Sequence, residues 1–454
     1  MNFTPAESLH RLVKLAIDSG AAATVAEAEA TFHGYNLAFS LNAENVNDPH
    51  HQAALLTGIA LARRVFLGTI SVMGLTETPL AVPLPFGMTL TEAVIALGGS
   101  PTAPTPGTPQ ITIGGPPLAR SEPFHVRAIF GGWRGGIVPA HSDIARDCQR
   151  AMPLAPMLSV ALAVNEAFLH VQNETPAAGS RAIGLSLWDP APACDWLATN
   201  NSEPELRYLP TRIWMLGMGH LGQAFLWGLG LLPYPDESHV KLVFQDVDVI
   251  TPSSHSTSIL TTSENLGQRK TRVLAAWAER RGFEVAIHER LFDASFRRQR
   301  DEPAVALCGF DNAIGRRALD EAGFDLVVEA GLGRGWRDFR SIRVHTLPGS
   351  RRAIDIWKLD DGGETVEHRP AYQNMLQKGE LDRCGITILA GKAVGAPFVG
   401  AVAASLGLSE LLRLFHGGPL HQIVDLDLRS VEYRSVVPQI LSFSHLNPGY
   451  TLVA

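Results

Sequence analysis

The sequence predicts an α/β protein in two parts, each with a sheet covered by helices. Of its 454 residues, 46% are apolar and 18% are charged, which supports large buried cores and excludes a disordered chain. From Arg212 to about residue 345, strand-like and helical segments alternate, as is typical of a mostly parallel sheet. The polar stretch 191–210 predicts a boundary between an N-terminal α/β domain over 1–195 and a second domain over 205–454.

The first half predicts both helices and strands. Apolar residues spaced three and four apart predict helices over three ranges and within a fourth: 8–20, 24–42, 51–64 and 153–171. Strand-like runs lie at 65–74, 124–130 and 182–190. The helix that follows Ala155-Pro156 weakly resembles one that follows Ala396-Pro397. Two unrelated buried helices and two copies of one domain both explain that likeness.

A glycine-rich turn predicts a nucleotide site in the second half. The motif GMGHLG (217–222) follows the strand-like run 212–216 and opens a helical pattern. Its first glycine permits a tight turn, its second lets phosphates approach the backbone, and its third lets helix and strand pack closely. Asp246 ends the next strand-like run and is suited to hydrogen-bond ribose. These features leave a nicotinamide-dependent dehydrogenase and an ATP-using enzyme equally open.

Two further groups favour ATP. Gly267-x-x-Lys270 opens a helix, and a lysine there suits a polyphosphate because its compact charge can follow moving oxygens. Asp311-Asn312 ends the strand-like run 304–310, where an aspartate is a natural magnesium ligand. An exposed helix lysine or a capping aspartate explains each residue alone. Their order along the chain favours a site for Mg-ATP.

Over about residues 205–430 the chain resembles the ThiF/E1 superfamily, enzymes that adenylate the C-terminal glycine of a ubiquitin-like or sulfur-carrier protein. The likeness rests on GMGHLG, Asp246-Val247-Asp248, GQRK, DNAIGR and VVEAGLGRG (327–335). It implies a Rossmann-like adenylation domain in which Asp246 holds ribose, Lys270 the phosphates and Asp311 Mg²⁺. The other implied nucleotide contacts are Gly217, Gly219, His220, Gly222, Asp248, Asn312 and Arg316. The N-terminal domain is expected to be a degenerate, inactive adenylation-like domain or a domain that recruits a partner.

One segment departs from the family pattern. The family usually carries Ser-Asn…Arg-Gln after its acid pair, whereas this chain has SSHSTSIL (253–260), with Thr257 where the arginine is expected. An arginine normally neutralises triphosphate charge, so another residue must replace it or adenylation is weakened. The candidates within the second domain are Arg269 and Arg272. Those in the N-terminal half are Arg63, Arg64 and Arg134.

Cys384 is the candidate nucleophile. It follows the polar crossover segment 357–384 and precedes a helix rich in small residues. A cysteine near a helix start and beside Arg383 is suited to act as a thiolate. This arrangement resembles autophagy-type E1 enzymes, and it implies a thioester with a ubiquitin-like protein and transfer to an E2-like carrier. A buried structural cysteine is the alternative.

The remaining expectations concern environment and partners. Four cysteines without a CxxC pair argue against a structural zinc site and fit a reducing cytoplasm. A formal charge of -7 argues against nucleic-acid binding, and the apolar run 393–408 is short for a membrane span. The resemblance implies a homodimer or an internal pseudo-dimer. It extends to E1-like proteins of bacterial conjugation operons, including antiphage operons.

Two other functions remain open. A sulfur-carrier adenylyltransferase of thiamine or molybdopterin synthesis would use the same nucleotide site. A non-catalytic scaffold that binds a ubiquitin-like tail would explain the missing arginine.

Overall fold

The computed structural model describes residues 3–75, 77–119, 124–146, 150–198, 202–357 and 365–453. Within these ranges two large sheets lie in succession along the chain, each flanked by helices, and the predicted α/β fold is confirmed. Cys148 and residues 358–364 of the predicted crossover segment lie outside the described residues.

The first half contains a six-stranded sheet. Its strands are β1 (Leu37–Leu41), β2 (Ile70–Met73), β3 (Gln110–Ile113), β4 (His125–Gly131), β5 (Arg134–Pro139) and β6 (Ile183–Ser186). Its α-helices are α1 (Pro5–Ser8), α2 (Lys14–Ser19), α3 (Val25–His33), α4 (Pro49–Ala62), α5 (Leu90–Ala96) and α6 (Leu154–Val171).

The second half contains an eight-stranded sheet and a short pair of strands. Its strands are β7 (Tyr208–Pro210), β8 (Arg212–Leu216), β9 (Lys241–Gln245), β10 (Glu284–His288), β11 (Val305–Cys308), β12 (Leu326–Leu332), β13 (Ser341–Leu347), β14 (His421–Asp427), β15 (Ser435–Pro438) and β16 (Tyr450–Leu452). Its α-helices are α7 (His220–Leu231), α8 (Pro252–His255), α9 (Lys270–Arg280), α10 (Ala313–Arg317), α11 (Ala353–Ile356), α12 (Pro370–Gln377), α13 (Arg383–Ala390) and α14 (Pro397–Phe415).

The two large sheets share one topology. The first has the strand order β2-β1-β3-β4-β5-β6, and the second contains the run β9-β8-β11-β12-β13-β14. In both runs the first three pairs of neighbouring strands are parallel, and the last two pairs are antiparallel. A helix joins the first two strands of each run, and a long helix joins the last two. The second sheet adds β10 at one edge and β15 at the other.

Helices α6 and α14 form the centre of the molecule. They pack against each other, and α14 also packs on α7. Both are long and apolar enough to span a membrane by length and composition, but 89% of each apolar window is buried inside the protein, as in the core helices of a folded domain. Their side chains belong to one hydrophobic core that draws on both halves of the chain. The halves are therefore joined by a shared apolar interior.

Two predicted helices were wrong in extent. The helix predicted over 24–42 ends at His33, and residues 37–41 form the buried strand β1. Gly34 follows the helix, and a short apolar run does not distinguish a strand from a helix by periodicity. The helix predicted over 8–20 is interrupted between α1 and α2. There the backbone N–H of Arg11 bonds the Ser256 hydroxyl, and the imidazole Nδ1 of His10 accepts two backbone N–H groups.

Candidate active site

The candidate site lies where β8, β9 and β11 end at the same edge of the second sheet. These three strands are parallel neighbours, so the loops that follow them meet. The glycine-rich turn follows β8 and leads into α7, with Gly217 at a φ of +82° that other residues rarely adopt. Because the first N–H groups of a helix lack intrahelical partners, α7 presents donors and a partial positive charge at this edge.

Two glycines of the turn are required for different reasons. A Cβ on Gly222 would lie 2.0 Å from the carbonyl oxygen of Gly217, so only glycine lets α7 pack this closely on the turn. A Cβ on Gly219 would meet only the Lys270 Nζ, at 3.9 Å. Gly219 thus borders open space next to an ammonium group, which is where a phosphate could approach the backbone.

Lys270 and two aspartates form an ion-pair cluster at this edge. Lys270, the first residue of α9, is 8% exposed, and its Nζ lies 2.7 Å from Asp248 and 3.9 Å from Asp246. Burial acts to lower the pKa of Lys270, but Asp246, Asp248 and Asp311 outweigh it and the pKa is raised. Lys270 therefore stays charged in a nearly dry position.

Asp246 is held rigidly by backbone donors. Its two carboxylate oxygens accept N–H groups from Met218 in the glycine turn and from Asp248, each at 2.7 Å. The acid that follows β9 is thereby fixed against the turn that follows β8. This position suits a carboxylate that accepts ribose hydroxyls.

Asp311 follows β11 and is exposed. Its charge raises the pKa of Lys270, so the two side chains face the same region. Within the described ranges, no residue forms a hydrogen bond or ion pair with this carboxylate, and no three histidine, cysteine or acidic side chains cluster as a metal site would require. A hard-oxygen donor of this kind fits Mg²⁺ shared with substrate phosphates, because Mg²⁺ at such sites takes one or two carboxylates from the protein.

Asn312 and Arg316 have partners within the protein. The Asn312 side chain caps α10 by accepting the Gly315 N–H at 2.8 Å. Arg316 donates to the Phe310 carbonyl at 2.9 Å, lies 3.0 Å from Glu329 and stacks on Trp357. Both residues thus brace the loop that carries Asp311. Their predicted contacts to nucleotide stay predictions.

Glu329 is a member of this bracing group that the sequence did not single out. It is fully buried in β12, and it also lies 3.0 Å from the His345 imidazole. A buried glutamate inside the apolar run 326–332 was the available signal, because such an acid needs cationic partners.

His220 faces α14 with its side chain. Burial lowers the pKa of His220 to about 4, and a Cβ on Gly400 would lie 2.4 Å from its Nε2. The imidazole is therefore neutral and packed between α7 and α14. The predicted contact of this residue with nucleotide, through its backbone, stays a prediction.

Arg11 reaches the site from the N-terminal segment, which we define as residues 3–20. Its backbone N–H bonds Ser256, next to Thr257, and its Nη1 lies 3.4 Å from the Ala393 carbonyl. Burial lowers the pKa of Arg11, the nearby Asp311 carboxylate opposes this, and Arg334 lowers it further. Arg11 thus lies within electrostatic reach of both Asp311 and Arg334. The sequence did not single out either residue, because no local pattern links residue 11 to residue 311.

The arginines named from the sequence have other partners. Arg64 is buried beside residues 253–260, the segment that differs from the family pattern. Its guanidinium bonds the carbonyls of His255 and Thr261. Arg134 bonds Glu203 within the first half, at 2.7 Å, and Arg272 bonds Glu289. The remaining two arginines donate to backbone carbonyls. Arg63 bonds the carbonyl of Leu97, and Arg269 bonds the carbonyl of Val247.

Cys384 is exposed in the first turn of α13, whereas Cys308 is buried in β11 and has a pKa raised by burial to about 12. The helix that carries Cys384 is held by the N-terminal segment. Lys14 donates to the Ala390 carbonyl at 3.1 Å and bonds Asp18. Asp18 in turn accepts from Tyr372 of α12 at 2.6 Å.

Comparison with known proteins identifies relatives of both halves. Family models match the BilD N-terminal domain over residues 36–187 and the BilD C-terminal domain over residues 209–418. The Bacterial E1-like protein BilD of Collimonas sp. (strain OK412) is 43% identical over 420 residues, covering 92% of this chain and 90% of that protein.

Crystal structures of E. coli MccB are also similar. MccB alone and MccB with ATP match at 12% identity with TM-scores of 0.35 and 0.32. Each match covers 50% of this chain, and the chain spans 63% and 64% of those MccB chains.

The glycine turn yields a stability prediction. Gly222→Ala is expected to lower the free energy of unfolding by about 1–3 kcal/mol, because its Cβ overlaps a backbone carbonyl that cannot move aside. Gly219→Ala, the matched control, is expected to change it by less than about 1 kcal/mol. Urea denaturation of both variants measures the difference. Equal destabilisation by the two substitutions would contradict the close packing of α7 on the turn.

Proposed function

The chain belongs to the BilD family of bacterial E1-like proteins, and from this premise we propose that it activates a ubiquitin-like protein. It uses Mg-ATP to adenylate the C-terminal carboxylate of that protein and then forms a thioester on Cys384. An E2-like carrier receives the acyl group. This activity fits a bacterial ubiquitin-like conjugation system of the kind found in antiphage operons.

One observation supports the adenylation step above all others. The glycine turn, the buried Lys270 and three aspartates converge at one sheet edge although they come from four separate loops. A dehydrogenase needs the turn and one acid, but it needs neither a buried ammonium nor an aspartate after β11. The ammonium is suited to the charge that moves onto pyrophosphate as it leaves.

Each residue of the site has a separate role in the adenylation step, and its position determines that role. Asp246, fixed by two backbone donors, orients the ribose, and Lys270 binds phosphate oxygens next to Gly219. Asp311 would hold Mg²⁺, which neutralises phosphate charge when bound. Catalysis then rests on position and electrostatics, because carboxylate and α-phosphate need only be held in line.

Arg11 supplies the guanidinium that is missing at Thr257. Its backbone is anchored one residue away, on Ser256, and the Asp311 carboxylate raises the pKa of its guanidinium against the effect of burial. A positive charge brought in from another part of the chain is an established device in phosphoryl chemistry. The N-terminal half thereby contributes to the site in the second half, as an internal pseudo-dimer would.

The second step uses Cys384. Its thiolate attacks the carbonyl carbon of the acyl adenylate, the C–S bond forms, the C–O bond to the phosphate breaks, and AMP leaves. Exposure in the first turn of α13 supports this role, because the thiol must accept a protein tail and then pass it on. The N-terminal segment that carries Arg11 also holds α13, so both steps involve the same short segment.

ATP–pyrophosphate exchange in the presence of the ubiquitin-like partner tests the function. Lys270→Met and Asp311→Asn are each expected to lower the exchange rate about a hundredfold or more. The first removes the positive charge that binds the phosphates, and the second removes the carboxylate that would hold Mg²⁺. Arg351→Ala, at an exposed arginine outside the site, is the control and is expected to leave the rate unchanged. Absence of exchange by the wild type would contradict the proposal. The remaining candidate would then be a non-catalytic scaffold that binds a ubiquitin-like tail.

Arg11 is tested in the same exchange assay. Arg11→Ala is expected to slow exchange about a hundredfold, and Arg11→Lys is expected to recover part of the rate because it restores the charge without the planar fork. Thermal unfolding of both variants controls for loss of the Ala393 contact. An Arg11→Ala enzyme with the wild-type rate would contradict the assignment while leaving the rest of the site intact.

The thioester is tested on a non-reducing gel. Cys384→Ala is expected to abolish the thiol-sensitive adduct with the ubiquitin-like protein while exchange continues, because adenylation precedes attack by sulfur. Cys194→Ala, at a partly exposed cysteine of the first half, is expected to keep both activities. If the adduct persists in the Cys384→Ala enzyme, another cysteine is the acceptor. If no adduct forms in the wild type while exchange proceeds, a sulfur-carrier adenylyltransferase fits better.

A further inference from the structure

A small cavity lies in the first half, at the carboxyl edge of its sheet. Its volume is about 50 Å³, and its wall includes Asn45, His51, Gly114, Gly115, Arg127 and Arg146. We call it the N-terminal cavity. By this measure of volume, one water molecule needs about 10–15 Å³, so the space accommodates a few waters or one small ion.

The topology gives this cavity a counterpart in the second half. Gly114 directly follows β3 as Gly309 directly follows β11, two residues before Asp311. Asn45 lies beyond β1 in the region where the glycine turn lies beyond β8. The acids and the lysine of the second half have no equivalents here, since Gly74 follows β2 and α5 begins at Leu90. The edge is therefore built from different side chains and is not a second nucleotide site.

Two guanidinium groups at the cavity have unused donors. Arg127 is fully buried, and its terminal nitrogens bond the carbonyls of Gly115, Ser142 and Ile144. Its Nε–H is buried without a hydrogen-bond partner among the described residues, and the same holds for the Nε–H of Arg146. A buried donor left unsatisfied destabilises the folded state, so two unsatisfied donors at one cavity indicate a binding site for a ligand that accepts them.

Neither arginine has a carboxylate partner among the described residues. Arg134, on the neighbouring strand, bonds Glu203 at 2.7 Å, whereas no acidic oxygen lies within 4.0 Å of Arg127 or Arg146. Burial lowers the pKa of both guanidinium groups. The carboxylates that oppose this shift are Asp143 for Arg127, and Glu203 and Asp195 for Arg146. Within the part of the chain that the structure describes, the cavity thus has a positive wall with no carboxylate in contact with it.

His51 adds a third polar group. Its Nδ1 bonds the Asp48 carboxylate, which leaves Nε2 for another partner. A Cβ on Gly114 would lie 2.3 Å from this Nε2, so the imidazole occupies space that any other residue at 114 would fill. Gly114 also has a φ of +64°, which favours glycine independently.

We propose that the N-terminal cavity binds one small oxyanion of the phosphate or sulfate class, held by Arg127, Arg146 and His51. The anion accepts the two unused Nε–H groups and balances the charges of the buried Arg127 and the half-buried Arg146. Because Arg127 also clamps the carbonyls of three loop residues, occupancy stabilises the loops around the cavity. The site is independent of the proposed adenylation.

Calorimetric titration of the full chain with inorganic phosphate tests this site. We expect saturable binding of one phosphate per chain, with sulfate competing. Arg146→Gln is expected to weaken binding about tenfold, as loss of one charge-assisted hydrogen bond does. Lys270→Met is expected to leave it unchanged, which separates this cavity from the phosphate-binding edge of the second half.

A matched pair avoids disturbing the loop clamp made by Arg127. Ala145 is exposed at the rim of the cavity, so Ala145→Glu adds a competing carboxylate while Ala145→Gln adds the same shape without charge. Ala145→Glu is expected to weaken phosphate binding about tenfold and Ala145→Gln to leave it near the wild-type value. The proposal is overturned if the wild type shows no saturable binding, or if Lys270→Met abolishes binding while Ala145→Glu does not affect it.

Discussion

The burial of two long apolar helices against each other is the constraint on which this structure depends. Helices α6 and α14 expose almost no surface, so each must be covered on all sides, and each half of the chain covers one side of the other's helix. The few charged groups on these helices are paired. Glu166 bonds Arg181, and Glu410 bonds Arg413 and the backbone of His421. An unpaired buried charge would cost several kcal/mol, whereas these pairs tie the long helices to the strands and loops beside them.

A fixed relation between the halves lets a remote segment take part in the candidate site. The N-terminal segment lies across the second half, with Arg11 on Ser256, and Lys14 and Asp18 linked to the helices α13 and α12. The Lys14 and Asp18 side chains are almost fully buried. Such short segments have little stability of their own, and this one is ordered by the polar groups that it satisfies on the larger domain.

The two sheet edges show how one topology supports different chemistry. In the second half the buried Lys270 is balanced by three acids, Asp246, Asp248 and Asp311. In the first half two arginines are balanced by no acid within contact distance among the described residues, and the loop after β3 begins with Gly114 and Gly115. The parallel strands bring loops together at both edges, but the side chains on those loops decide which ligand is favoured.

The sequence by itself determined the features that depend on neighbours along the chain. The glycine turn after β8, the helix start at Lys270 and the aspartate after β11 follow from residues within a few positions of one another, because turns and helix starts are local. The short run 37–41 could not be assigned in this way, since four apolar residues and one serine suit a helix or a strand equally. Only the tertiary structure decided that it is a strand, that Arg316 braces a loop, and that Arg11 lies beside Ser256. Contacts between residues hundreds of positions apart arise from how buried surfaces match after folding, and no periodicity in the chain records them.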